Sequence, residues 1–156
     1  MSEKAVPTVF EWMGGQAALE RLFVRFYARV PDEPLLRDVF AGMDPHHAQH
    51  VAAFVGEVLG GPSAYSADHG GHPHMIRKHL GRMLTEVQRR RWIELLLDCA
   101  DEVGVPSDPE FRSAFVAYLE WGSRLAVINS QPGAQADEHQ PMPKWGWGEA
   151  KGPYQP

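Results

Sequence analysis

Histidine is the residue type through which this chain is best placed to do chemistry. Of its eight histidines, seven fall between His46 and His79, and only His139 lies outside that stretch. Such clustering points to a metal ion before any fold is considered. His79 stands at the end of a short helical stretch flanked by Met75, Ile76 and Leu80, with Arg77 and Lys78 beside it. A neutral imidazole there can offer one nitrogen lone pair to iron or zinc, while the other nitrogen needs an acceptor such as a backbone carbonyl to fix the tautomer. The same residue, next to a glycine stop, also reads as an ordinary helix-end histidine. A zinc site built from His46, His47 and His50 with His69, His72 and His74 has nitrogens enough. Against it, no HExxH pair occurs, Cys99 stands alone, Asp44 and Asp68 form no paired signature, and only His46 and His50 share a helix face at i, i+4.

Tyr27 and Trp92 add a second kind of chemistry. Each sits inside an apolar stripe, where a buried phenol O–H or indole N–H must find an acceptor. A local carbonyl would make them core residues; a bound molecule would make them site residues.

The elements that position these groups follow from periodicity. Gln16 to Val30 repeats apolar residues at helical spacing through Leu19, Leu22, Phe23, Phe26, Tyr27 and Val30, with Arg21, Arg25 and Arg29 opposite. Pro31 and Pro34 end it, and Leu35, Leu36, Val39 and Phe40 form a turn that drops an aromatic onto the core. Asp44-Pro45 reads as a cap and first helical position, opening a helix that carries His47, Val51 and Val55 and stops at Gly60-Gly61-Pro62. Ser63 to Pro73 reads as an ordered loop and His74 to Leu80 as a short helix closed by Gly81. Thr85 and Gln88 match a capping box before a buried stripe of Val87, Trp92, Leu95, Leu96, Cys99 and Val103. Asp108-Pro109 opens a last helix bearing Phe111, Phe115, Tyr118, Leu119, Gly122, Leu125, Ala126 and Ile128. No stretch alternates as a strand does, so the expectation is an all-helical domain of about four long and two or three short helices. Five prolines follow Asn129, and Trp145 and Trp147 are the largest apolar groups there; this tail is either flexible or lies back across the domain through them.

Composition narrows the function classes. The length suits one domain. A net charge of −5 with both signs dispersed supplies no basic footprint for nucleic acid. One cysteine excludes an intrachain disulfide framework and fits a reducing compartment. Glu3 and Lys4 break any leader pattern, and the apolar runs fall short of a bilayer span, so the expected setting is cytoplasmic, with no membrane partner.

Several segments together resemble one family. Arg25-Phe26-Tyr27-Ala28-Arg29-Val30, followed by Pro34-Leu35-Leu36 and Val39-Phe40, is similar to the second helix and adjoining corner of a truncated haemoglobin. Phe54, Gly60-Gly61-Pro62-Ser63-Ala64-Tyr65, His69-Gly70-Gly71-His72-Pro73, Lys78-His79-Leu80 and Trp92 resemble the signature of that family's second group. The resemblance runs roughly from Val9 to Ser130. It implies a globin-like two-over-two helical sandwich, taken as residues 1–130, and haem b as cofactor; the proline- and glycine-rich tail over 131–156 has no counterpart in it. It makes His79 the proximal iron ligand and Tyr27 and Trp92 distal hydrogen-bond donors. Phe40 packs on the porphyrin, and Phe26, Val51 and Phe54 wall the pocket; apart from the resemblance, the cationic side chains at this short helix, Arg77, Lys78 or Arg82, are able to neutralise a propionate.

His47 stands where that group more often has a small residue, so it is read as a third donor, a gate, or an iron ligand when no other is bound. One glycine is extra in His69-Gly70-Gly71-His72, Ile76 replaces a common basic residue, and Gly81-Arg82 replaces a proline-phenylalanine pair. The implied function is binding of oxygen, carbon monoxide, nitric oxide or peroxide. Redox turnover of oxygen with nitric oxide, or of peroxide, would draw on a separate electron donor or reductase. The competing readings are a non-catalytic binding or sensing module, and a haem-free helical interaction protein. A monomer or weak homodimer is expected.

Overall fold

Thr8 opens the chain's first helix by a reciprocal cap, its hydroxyl accepting from the Glu11 N–H while the Glu11 carboxylate accepts from the Thr8 N–H. The computed structural model describes residues 5–135 and 139–156, and the leader reading of Glu3 and Lys4 lies outside them. Among the described residues the chain forms seven α-helices and two 3-10 turns, with no strand. They are α1 (Val9–Met13), α2 (Gly15–Arg29), α3 (His47–Val58), α4 (Ala64–Asp68), α5 (Gly71–His79), α6 (Glu86–Glu102) and α7 (Pro109–Asn129).

The four long helices form two pairs. α2 packs chiefly on α3, α6 on α7, and α2 also meets α6, which gives the all-α, globin-like two-over-two sandwich. Leu19, Leu22, Phe23 and Phe26 of α2, Leu95 and Leu96 of α6, and Phe111 and Phe115 of α7 fill the space between them and are fully shielded from solvent. Burying each such side chain contributes about 1.5–3 kcal/mol. Close packing of α3 against α1 depends on small residues. A Cβ built on Gly61 would stand 2.7 Å from the Gly56 carbonyl oxygen and 2.8 Å from the Phe10 ring.

The caps read from sequence at Thr85 and Asp108 are present, each side chain accepting from the backbone N–H three residues on. Other expectations are corrected. α3 begins at His47, because the Asp44 carboxylate accepts from the His46 N–H and its carbonyl from the His47 N–H, making a turn ahead of the helix. Ser63 to Pro73 is not a loop but α4 and the first turn of α5. Gly70 and Gly71 both take left-handed conformations and turn a sharp corner between the two helices, and Pro73 sits in the first turn of α5, where no N–H is needed. Val87 and Ile128 face solvent instead of the core.

The segment after Ser130 returns to the domain. The Trp145 N–H donates to the Val58 carbonyl at 2.8 Å, and the Trp147 indole N–H to the Pro7 carbonyl at 2.8 Å. Trp145 lies against Tyr118 and Trp121, and Trp147 against Trp12.

Candidate functional site

One turn of α5 fixes the orientation of His79. Its Nδ1 lies 2.9 Å from the Met75 carbonyl oxygen, four residues back, so the ring donates Nδ1–H to that carbonyl and leaves the Nε2 lone pair available. No described residue hydrogen-bonds to Nε2. Burial pushes the ring below the ordinary histidine range, against the opposing pull of the Met75 bond, so at neutral pH the imidazole is uncharged and able to bind metal.

His79 borders a cavity of about 440 Å³, within the about 300–1,000 Å³ span of cofactor-sized sites. Tyr27 from α2, Phe40 from the following corner, His47, Val51 and Phe54 from α3, Lys78 from α5, Arg82 from the next turn and Trp92 from α6 border the same space. Helical geometry explains which expected residues are absent. Phe26 precedes Tyr27 by one residue, about 100° round α2, and is fully buried behind it, 4.8 Å from the Tyr27 ring and 5.8 Å from Trp92. Arg77 lies two positions before His79, about 200° round α5, and is exposed away from the cavity.

The polar groups opposite α5 form a compact set. His47 Nε2 lies 3.2 Å from the Tyr27 hydroxyl, and the two rings meet edge to face at 4.8 Å. Burial raises the Tyr27 hydroxyl far above its usual range, with the Trp92 indole interaction acting the other way, so Tyr27 keeps its proton. Burial, helped by the positive charges of Lys78, His50 and Arg82 and opposed by Asp44, pushes His47 down to about 4. At neutral pH His47 is therefore uncharged, and one partner of the Tyr27–His47 pair donates to the other.

The remaining histidines do not assemble. His50 lies 4.6 Å from His69 and 6.4 Å from His46 between ring centres, yet among the described residues no three His, Cys, Asp or Glu side chains converge to hold a metal. The His79 nitrogen beside a mainly apolar cavity, with no converging set of protein ligands among the described residues, fits an iron whose other ligands come from a macrocycle, and Lys78 and Arg82 at its border fit the macrocycle's carboxylates.

Tyr65 and His72, noted in the sequence only as signature or candidate metal residues, also border the cavity, and sequence reasoning missed Tyr118, Gln140 and Pro143 there. Gly122 carried a signal for one of them, since a Cβ there would touch the Tyr118 ring at 3.5 Å. Arg89 was missed as well. It is buried and held by Glu86 and Glu120, four residues before buried Ile93 and hence on the same stripe.

Two helix pairs around a cavity bordered by His79, its Nδ1 held by the Met75 carbonyl, and by the Tyr27–His47 pair define a globin-type ligand-binding domain. Residues 8–121 match the family model described as Bacterial-like globin. The group 2 truncated hemoglobin YjbI of Bacillus subtilis (strain 168) is 32% identical over 117 residues, which cover 75% of this chain and 86% of that protein. Among solved structures, the group II truncated hemoglobin from Bacillus anthracis superposes with a TM-score of 0.71 at 27% identity, over 83% of this chain and 98% of that one. The truncated oxygen-avid haemoglobin from Bacillus subtilis gives 0.68 at 30% identity, over 78% and 99%. The chain belongs to the truncated haemoglobin family, in its second group, and shares the haem-binding and small-ligand-binding function of globins.

Proposed function

We propose that the protein holds one haem b through His79 Nε2 and binds small ligands beside Tyr27, Trp92 and His47, with redox turnover of oxygen and nitric oxide, or of peroxide. The observation that carries this reading is the His79 Nδ1 contact with the Met75 carbonyl, which leaves Nε2 as the lone-pair donor at the cavity. Haem b supplies a reducible iron that takes up diatomic molecules and peroxide.

The chain's own residues do the rest. Lys78 and Arg82 would neutralise the propionates, and Phe40, Val51 and Phe54 would keep water out and supply apolar contact to the cofactor. When His47 Nε2–H donates to the Tyr27 oxygen, the Tyr27 O–H is free to donate to a ligand, and the Trp92 indole N–H offers a second donor. Fixed donors in a dry cavity favour a ligand that develops negative charge over an apolar one such as carbon monoxide. They also slow its release, which suits chemistry on the held ligand better than rapid delivery. Turnover requires return electrons from a separate reductase or small reductant. No described helix is long and apolar enough to cross a membrane, which agrees with an aqueous, cytoplasmic working place.

Purified protein supplemented with haem should show an intense Soret band that shifts on reduction and again on addition of carbon monoxide. Absence of that band would overturn the reading in favour of a helical interaction protein. Nitric oxide and peroxide consumption, followed in the presence of a chemical reductant, should exceed that of free haem. Ligand binding without either turnover would leave a binding or sensing module.

A further inference from the structure

The family match ends at residue 121, yet the cavity does not. Two residues of the C-terminal segment, Gln140 and Pro143, border it together with Trp121 and Gly122 of α7. We propose that residues 139–147 form a pinned strap that completes the α5–α7 side of the haem cavity and sets how long the cofactor is retained.

Pins hold the strap on both sides of the domain. At its start, the Gln140 carbonyl lies 3.3 Å from His72 Nδ1 on α5, the helix that carries His79. In its middle, Trp145 donates its backbone N–H to the Val58 carbonyl at the end of α3, satisfying an acceptor that the helix itself cannot reach. The Trp145 ring lies 5.8 Å from Tyr118 and 5.6 Å from Trp121, so it covers the α7 surface next to the cavity. At its end, the Trp147 indole donates to the Pro7 carbonyl and packs against Trp12 at the other extremity of the chain. Pro141 and Pro143 restrict the backbone between the first two pins, which lowers the entropy lost when this stretch is held.

The sequence of contacts explains why an otherwise polar tail keeps two tryptophans. The Trp147 indole N–H finds a carbonyl while its ring packs against Trp12, and Trp145, bonded through its backbone N–H, lays its ring against Tyr118 and Trp121. With the strap in place, Gln140 and Pro143 stand between the cavity and water. Without it, the cavity border at Gln140 and Pro143 is lost and Trp121, already partly exposed, loses the cover of the Trp145 ring, which gives water a wider route into the cavity.

This inference rests on the haem reading above, and the two fail differently. Ferric full-length protein and its Trp145→Ala and Trp147→Phe variants should be mixed with excess haem-scavenging apoglobin, and the loss of bound haem followed optically. Trp147→Phe keeps one aromatic ring to face Trp12 while removing the N–H donor together with the indole's second ring. Haem loss at least tenfold faster for Trp145→Ala and severalfold faster for Trp147→Phe is expected, with the Soret position and far-ultraviolet circular dichroism as in the parent. Equal rates in the parent and the folded variants would overturn the strap while leaving the haem site standing; no Soret band in the parent would overturn both. As a measurement needing no substitution, amide hydrogen exchange of the parent holoprotein should protect the Trp145 N–H as strongly as the middle of α7. Exchange at the rate of an open chain would equally overturn the strap.

Discussion

His79 Nδ1 and the Met75 carbonyl oxygen, 2.9 Å apart within one turn of α5, decide which nitrogen of the candidate iron ligand faces the cavity. The bond also holds the ring plane, so the lone pair on Nε2 is aimed before any iron arrives. Replacing His79 by glycine should abolish stable haem uptake, and added imidazole should restore it, because the backbone acceptor that orients the ring survives the substitution. Absorption titration with haem, with and without imidazole, reads this out; full uptake without imidazole would remove His79 from the site.

Tyr27→Phe removes the hydroxyl that faces His47 Nε2 at 3.2 Å and keeps the ring contacts with Phe26 and Phe40. A hydrogen bond of this kind contributes about 0.5–1.5 kcal/mol. Oxygen should therefore leave the variant up to about tenfold faster, since about 1.4 kcal/mol corresponds to a factor of ten. Trp92→Phe should act in the same direction. Stopped-flow displacement of oxygen by carbon monoxide measures both, and unchanged rates would exclude the two donors from ligand stabilisation.

His47 sets a pH dependence whose direction follows from its neutral folded form. Its folded-state value is about 4, below the about 6.5 of a solvated imidazole, so the unfolded chain binds more protons between those limits. This contribution to stability is present in full above about pH 6.5 and is lost as the pH falls toward 4. His50, His74 and His79 are also lowered and add to the same acid sensitivity. His47→Gln should flatten the pH profile of the melting temperature between 6.5 and 4, with the other histidines accounting for the slope that remains. A profile identical to the parent's would contradict the burial of an uncharged His47.

Glu57 is buried on α3, and its carboxylate accepts from both the backbone N–H and the hydroxyl of Ser66 on α4. Glu57→Ala leaves those donors without their acceptor and opens space beside them, which should cost about 1–3 kcal/mol. Chemical denaturation of the haem-free and haem-loaded proteins should show that loss in both. A loss confined to the loaded protein would move Glu57 from holding α4 to holding cofactor.

Much of this was legible because local chemistry and tertiary packing agree. Thr85 with Gln88, and Asp108 with Pro109, announce helix starts that packing leaves unchanged. The stripe from Leu19 to Tyr27 faces the core as its spacing requires. Ser63 to Pro73 was illegible because glycine marks a corner between helices with the same letters it uses in a loop, and only the left-handed geometry of Gly70 and Gly71 separates the two. At the site, Tyr27, Trp92, His47 and His79 were visible as polar tips in apolar or clustered settings. Family likeness supplied Phe26 as a wall residue, and local charge supplied Arg77 as one of three candidate cations; neither borders the cavity in this structure, where Phe26 lies behind Tyr27 and Arg77 is exposed on α5. Gln140 and Pro143 could not be read at all, since nothing in a proline-rich tail specifies where it lands.

Arg91 grips Glu33 with two parallel bonds of 2.8 and 2.6 Å, immediately before Trp92 and at the corner that leads to Phe40. Helix α6 and the Phe40 corner thus behave as the two jaws of one clasp, shut by a paired fork of charges that is largely shielded from water. Parting α6 from that corner means pulling oppositely charged groups apart, so the pair resists any spreading that would carry Trp92 away from Phe40.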